Sequence, residues 1–315
     1  MSRFLVTGGA GFIGSHIVEE LIKRGHYVRV LDNFSSGKLS NISFSWALPS
    51  KKFDLIKGDI RNKKVCFAAI KGIDFVLHQA ALRSVPKSMV APQDYNEVNI
   101  GGLLNMLQAS SSERIKCFVF ASSSSVYGEI NVFPQKESFV PQPISPYALT
   151  KLAGEHYCKI FSRFFKLPAV SLRYFNVFGP RQALDDEYAV VIPKFIHCIL
   201  NNEAPPIFGT GKQSRDFTYV GNVVNANLTA ARKTKLGGEV FNVASGKNYT
   251  VLELAGILNK LTRKSIKPKL LSVRAGDVFK TLADLTKSRK LLGFKPQVDF
   301  IEGLKLTLNY FKENA

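Results

Sequence analysis

Thr7-Gly8-Gly9-Ala10-Gly11-Phe12-Ile13-Gly14 follows the apolar run Phe4-Leu5-Val6 and leads into a helical pattern from about Ile13 to Lys23. The stretch reads as GxGxxG from Gly9 and as GxxGxxG from Gly8. Glycines allow a tight turn and a close approach of backbone to a pyrophosphate. The helix behind them presents unpaired N–H groups and a partial positive charge. Gly8, Gly11, Phe12, Ile13 and Gly14 therefore form a candidate dinucleotide cradle. A second strand, Tyr27-Val28-Arg29-Val30-Leu31, ends at Asp32, 18 residues beyond Gly14. A carboxylate there accepts hydrogen bonds from the adenosine ribose and repels a 2′-phosphate, so NAD is expected over NADP. Asn33 is assigned to the same subsite.

Further strands are expected at Phe53–Ile56, Phe75–Leu77, Cys117–Ala121 and Val170–Tyr174, with helical stretches between them. This rhythm predicts an α/β fold, a doubly wound parallel (Rossmann) sheet covered on both faces. Beyond Asn176 it breaks, with Pro205-Pro206, Gly209 and Gly211 interrupting a mixture of short elements. The expected division is a dinucleotide-binding domain over 1–176, to which 214–236 returns, and a smaller C-terminal α/β substrate lobe over 177–315.

With 315 residues and 45% hydrophobic content, the chain can bury a sizeable core, roughly 75% of its unfolded surface. Low-complexity tracts are absent, and no apolar run approaches the ~18 residues of a membrane span. Met1-Ser2-Arg3 runs straight into a strand and does not read as a secretory signal. Cys66, Cys117, Cys158 and Cys198 lie far apart, as do the five histidines. That spacing argues for reduced thiols in the cytoplasm and against a metal site. The net charge of +19 favours an anionic partner, whether nucleic acid, a membrane surface or a phosphorylated small molecule. No basic stripe interleaved with aromatics supports nucleic acid.

Two segments carry chemistry. Ala121-Ser122-Ser123-Ser124-Ser125-Val126-Tyr127-Gly128 leaves the carboxyl end of a strand, the edge where open α/β sheets bind ligands. Pro146-Tyr147-Ala148-Leu149-Thr150-Lys151 begins a helix on which Tyr147 and Lys151 share a face. A nearby ammonium favours tyrosinate, which makes Tyr147 the candidate base.

With these motifs the sequence resembles the extended branch of the short-chain dehydrogenase/reductase superfamily, the nucleotide-sugar epimerases and dehydratases. The likeness covers nearly the whole chain. It includes Asp59-Ile60, His78-Gln79-Ala80-Ala81, Asn99, Arg173-Tyr174-Phe175-Asn176, Arg215-Asp216-Phe217 and Arg274-Ala275-Gly276-Asp277. The resemblance implies that Asp59 and Ile60 flank the adenine, and that Ala80, Ala81, Arg83 and Asn99 line the dinucleotide. Ser123 and Tyr147 would contact the hexose, Lys151 the nicotinamide ribose and Phe175 the nicotinamide. Asn176 would reach the sugar nucleotide, Arg215 and Arg274 its diphosphate, and Asp277 the uridine ribose. A homodimer through the Tyr147 helix and the helix near Asn96–Ala109 is also implied.

Relatives that eliminate water or a carboxylate resemble one another in an acid just after the strand-end serine. Here Ser124-Ser125-Val126 follows, with no Asp or Glu before Glu129. The sequence therefore points to an isomerase, a UDP-hexose 4-epimerase, most similar to those acting on N-acetylated UDP-hexoses for surface polysaccharides. Thr281, four residues after Asp277, stands where glucose-restricted relatives carry a bulky aromatic, and its small size leaves room for an acetamido group. Arg83 leaves a uronic acid substrate open. Alternatives are a nucleotide-sugar dehydratase or reductase on the same scaffold, and a dinucleotide- or nucleic-acid-binding scaffold without activity.

Overall fold

The six apolar strand candidates of a doubly wound body can only be buried by stacking helices on both of their faces, and the computed structural model shows how this chain does it. It describes residues 1–45, 49, 52–184, 191–233, 235–272 and 278–314. The first body contains β1 (Arg3–Thr7), α1 (Phe12–Lys23), β2 (Tyr27–Asp32), β3 (Phe53–Lys57), α2 (Lys63–Ile70) and β4 (Phe75–His78). There follow α3 (Val85–Val90), α4 (Pro92–Asn96), α5 (Leu103–Ser112), β5 (Cys117–Ser123), α6 (Pro146–Phe164), β6 (Ala169–Tyr174) and β7 (Val177–Phe178). The later chain forms α7 (Val191–Leu200), β8 (Pro206–Phe208), β9 (Ser214–Arg215), β10 (Thr218–Tyr219), α8 (Val220–Ala231) and β11 (Val240–Val243). Last come β12 (Tyr249–Thr250), α9 (Val251–Thr262), β13 (Lys269–Leu271) and α10 (Phe300–Glu313).

The main sheet has seven parallel strands in the order β11-β6-β5-β4-β1-β2-β3. Alternate residues supply its two faces. Val6, Val28, Val30 and Val119 pack with Ile17 and Val18 of α1 and Val223 of α8. Leu5, Leu31, Phe118 and Phe120 pack with Ile70 of α2, Met106 of α5 and Phe161 of α6. A separate core of Phe178, Phe195, Ile199, Phe217, Leu254, Phe300 and Leu304 holds the lobe built from α7, α9 and α10.

The body extends past the expected 214–236 segment, because β11 at residues 240–243 pairs with β6 and closes one edge of the sheet. Its four residues after Gly237-Gly238 are too short a run to separate from a turn by pattern alone. The helix expected near Asn96–Ala109 is also longer than anticipated. α4 and α5 are joined without a break by a π-helical segment, Glu97–Gly102. Wide turns of this kind recur at functional sites. Here the turn seats Asn99 toward Leu82 and Gly102 against Ile60.

Candidate active site

A cleft of about 900 Å³ crosses the carboxyl ends of β1, β2, β4 and β5. Gly8 adopts φ 66°, and a Cβ on it would stand 2.8 Å from the Ala80 nitrogen. At Gly14 a Cβ would stand 2.1 Å from the Gly8 carbonyl oxygen, so α1 lies directly on the turn. The first turn of α1 has no side-chain cap and no acidic residue. Its N–H groups and positive dipole end are therefore left for an anion. Asp32 is buried and accepts from the Ala10 N–H at 2.9 Å and the Phe34 N–H at 2.8 Å, which ties the glycine turn to the end of β2. Asn33 donates to Asp59 at 2.9 Å, and Arg61 holds the Asp59 carboxyl down to about 2. Together with Ile60 these groups form one end of the cleft. The donor set fits NAD: a free helix N-terminus for the pyrophosphate and a carboxylate beside the ribose.

At the other end the chemical residues converge. Ser145 caps α6 by accepting from the Ala148 N–H at 3.2 Å, with Pro146 at the first helical position. That start sets Tyr147, Lys151 and Glu155 at successive four-residue steps on one face. Ser123, Tyr147 and Lys151 all line the cleft. Lys151 Nζ donates to the Ala121 carbonyl at 2.8 Å and lies 5.9 Å from the Tyr147 ring centre. Burial raises the Tyr147 phenol above its ordinary value, against the lowering effects of Ser123 and Arg83. Burial also brings Lys151 down to about 8. The phenol, expected below its ordinary value beside Lys151, stands above it because desolvation outweighs the neighbouring groups. Both shifts express the cost of burying one charge, and a phenolate and an ammonium formed together offset that cost for each other.

Beneath this pair lies a buried network. Glu155 Oε1 accepts from Ser122 Oγ at 2.5 Å and from Arg173 Nε at 2.8 Å, and its Oε2 accepts from Arg173 Nη2 at 2.7 Å. Arg173 Nη1 has no hydrogen-bond partner, but the guanidinium lies 4.6 Å from the Tyr127 ring centre. A cation over an aromatic face recovers part of the lost solvation. The network ties α6 to the ends of β5 and β6, where Ser122 and Arg173 are register partners.

Several expected contacts fall elsewhere. Asn99 does not face the cleft: it accepts from the Leu82 N–H at 2.8 Å and donates to the Leu82 carbonyl at 3.0 Å and to Thr150 at 3.0 Å. It holds the Leu82–Ser84 loop rather than a ligand. Phe175 is fully buried in the core against Tyr127. Arg215 lies outside the cleft walls, donating to the Ser214 and Phe279 carbonyls at 3.0 and 3.2 Å. Asn176, at φ 33°, lines the cleft and gives both amide hydrogens away, to the Asp216 carbonyl and to Thr281 Oγ1. Its own amide oxygen is what remains to offer a ligand. Thr281 is thus a support beneath Asn176 and also accepts from the Asp216 N–H at 3.1 Å. Arg274 and Asp277 lie outside the described residues.

The sequence reading missed the loop after β2. Ser35, Ser36, Lys38 and Asn41 line the cleft, and the Lys38 N–H and the Asn41 side chain both donate to the Ala10 carbonyl, at 3.0 and 2.8 Å. The signal was available in Asn33-Phe34-Ser35-Ser36-Gly37-Lys38, a run of turn formers directly after the ribose aspartate. Arg181, and Tyr310 and Asn314 at the end of α10, also reach the rim, and nothing local in the sequence marks them.

Among the described residues no group of acids, histidines and cysteines is arranged to hold a metal ion, and no helix is long and apolar enough to cross a membrane. The four cysteines are free and buried.

The family model for NAD dependent epimerases/dehydratases matches residues 4–244. The UDP-N-acetylglucosamine 4-epimerase of Methanobrevibacter ruminantium M1, solved with UDP-N-acetylmuramic acid, is similar at 42% identity and TM-score 0.94, covering 100% of this chain and 99% of that one. Thermotoga maritima UDP-glucose 4-epimerase, solved with UDP-glucose, has 39% identity and TM-score 0.92, with 99% of both chains covered. UDP-glucuronic acid 4-epimerase of Bacillus cereus, solved with UDP-glucuronic acid and NAD, has 35% identity and TM-score 0.90, covering 99% of this chain and 100% of that one. With the glycine turn, the ribose aspartate and the Ser–Tyr–Lys set in one cleft, this chain belongs to the NAD dependent epimerase/dehydratase family and is an enzyme whose cofactor is NAD.

Proposed function

We propose that this protein reversibly inverts carbon 4 of a UDP-hexose through a 4-keto intermediate, interconverting UDP-N-acetylglucosamine and UDP-N-acetylgalactosamine and also accepting UDP-glucose and UDP-galactose. The observation that carries the reading is the composition of the chemical end of the cleft. Ser123, Tyr147 and Lys151 stand together there, and Ser124 and Ser125 occupy the wall after Ser123. Among the described residues the carboxylates of the cleft are Asp32, Asp59 and Asp94. Asp32 is tied to the glycine turn, Asp59 is paired with Arg61, and Asp94 acts on Arg61. None follows Ser123, so elimination lacks its acid, whereas inversion needs only one group that takes and returns a proton.

In this mechanism Tyr147 removes the proton of the 4-hydroxyl, with Ser123 steadying that oxygen. Lys151 stabilises the phenolate. Bound in the glycine-turn cradle beside Asp32, NAD would supply the hydride acceptor and donor for carbon 4. The protein's share is orientation and charge placement. The keto sugar must turn over between the two half-reactions, so the grip has to fall on the nucleotide and not on the hexose. The names of the relatives support this reading, since all three bind a UDP-sugar.

Proton NMR of UDP-N-acetylglucosamine incubated with the purified protein, with no nicotinamide added, tests the proposal. Appearance of UDP-N-acetylgalactosamine is the expected result and would show that NAD travels with the protein. No conversion of this sugar or of UDP-glucose, with NAD supplied, would end the reading. Thr281→Tyr tests the room at carbon 2: activity on UDP-N-acetylglucosamine should fall at least tenfold relative to that on UDP-glucose. An equal loss on both would assign Thr281 to holding Asn176 alone. The homodimer belongs to this proposal too. Leu149, Ile160 and Phe164 are 55%, 43% and 67% exposed along the face of α6 turned away from the site. Exposed apolar side chains on one side of a helix are of the kind that a second subunit covers.

A further inference from the structure

We propose that Asp216 is a positioning residue for the sugar nucleotide, a buried carboxylate whose anchoring holds Asn176 and Thr281 where the substrate needs them. The inference rests on the UDP-sugar reading of the cleft and names the residue that sets up its substrate end. Asp216 lies between β9 and β10 and is fully buried. Its Oδ1 accepts from the Ser245 N–H at 2.8 Å and from the Ser245 hydroxyl at 2.7 Å. Its Oδ2 accepts from the Gly246 N–H at 3.1 Å and from the Ala283 N–H at 3.2 Å. One side chain thereby joins the turn after β11, at the edge of the main sheet, to the 280–283 stretch that runs beside Ser214 and Gln135.

The backbone of the same residue reaches the cleft wall. Its carbonyl accepts from Asn176 Nδ2 at 3.2 Å. Its N–H donates at 3.1 Å to Thr281 Oγ1, the atom that accepts from the Asn176 amide at 2.9 Å. Asn176 is thus fixed by Asp216 directly and again through Thr281, with its amide oxygen left for a ligand. The choice of an acid here is informative. The four donors are three backbone N–H groups and a hydroxyl, none of them charged, and burial lifts the carboxyl to about 6. Burying a carboxylate against neutral donors costs folding free energy. An asparagine would meet one pair of donors with its oxygen and turn its own NH2 on the other pair, so only a carboxylate serves both. Groups held away from their ordinary titration in this way concentrate at functional sites.

Asp216→Asn tests this with little change of shape. The Kd for UDP-N-acetylglucosamine is measured by calorimetry on NAD-loaded protein, in the Tyr147→Phe background so that the sugar is not converted. Asp216→Asn, Asn176→Ala and the two together are compared. Asp216→Asn should raise this Kd about tenfold, the range for a buried donor left unmatched, while the Kd for NAD stays within about twofold. Because Asp216 acts through Asn176, the same substitution should raise Kd less than about twofold once Asn176 is alanine, as for residues of one network. Equal losses with and without Asn176, or an unchanged Kd in Asp216→Asn, overturn the proposal. A parallel loss of NAD affinity overturns it too, since that is what a general loosening gives. Ser245→Ala removes one donor alone and should raise the sugar-nucleotide Kd about threefold; it decides the matter if Asp216→Asn does not fold. A protein that binds UDP-N-acetylglucosamine without converting it ends the 4-epimerase reading alone, and the same Kd values still decide Asp216. One that binds no UDP-sugar ends both.

Discussion

Tyr147→Phe is expected to lower kcat by about 10³-fold on any UDP-hexose the enzyme turns over, the range for removing a positioned acid–base group, or roughly 4 kcal/mol of barrier. The substitution removes one oxygen and leaves the ring, which packs edge-on to Tyr95. NAD content should be retained, because the α1 N-terminus and Asp32 lie at the far end of the cleft. A variant within tenfold of wild type would remove Tyr147 from the chemistry. The pH profile gives an independent sign. The base acts only when deprotonated, and burial places the phenol above its ordinary value, so kcat/KM should climb with pH on the acid side. Lys151→Met takes away the ammonium that offsets the phenolate and should move that limb to higher pH. An unmoved limb would show that Lys151 serves only the cofactor.

Glu155→Ala should destabilise the folded protein by about 3–5 kcal/mol, the range for breaking one side of a buried ion pair. Glu155 and Arg173 side chains are 4% and 3% exposed, and the variant would leave the Arg173 charge without its ion-pair partner. Ser122 would lose its acceptor as well. Denaturant unfolding at fixed NAD concentration measures the loss, since bound cofactor shifts apparent stability. The double variant Glu155→Met/Arg173→Met should recover most of it, because replacing both partners with apolar groups removes the buried charge altogether. A single-variant loss below about 1 kcal/mol, or no recovery in the double variant, would contradict this account.

The parts of the site legible in the sequence are those whose chemistry is local. Gly8, Gly14 and Asp32 act through backbone geometry and a strand end, so short-range order reveals them. Tyr147 and Lys151 are one helical turn apart, and Ser145-Pro146 announces where that turn begins. Residues whose placement depends on distant partners are not legible in this way. Asn99, expected on the dinucleotide, instead makes three hydrogen bonds that hold the loop before Arg83 and reach Thr150, 51 positions away. Thr281 is expected to matter for its size, and its hydroxyl also supports Asn176 across 105 positions, which no local pattern signals.

By itself the sequence determined the parallel sheet, the dinucleotide turn and which side chains are candidates for the chemistry, because periodicity, glycine placement and helix starts are set over a few residues. Only the tertiary structure decided which groups face the cleft and which lie behind it, and that burial pushes the Tyr147 phenol up and the Lys151 ammonium down. It also decided that Arg83 meets the site without a carboxylate partner among the described residues. Desolvation and unpaired charge are properties of the whole surrounding shell, and no stretch of neighbouring residues encodes them.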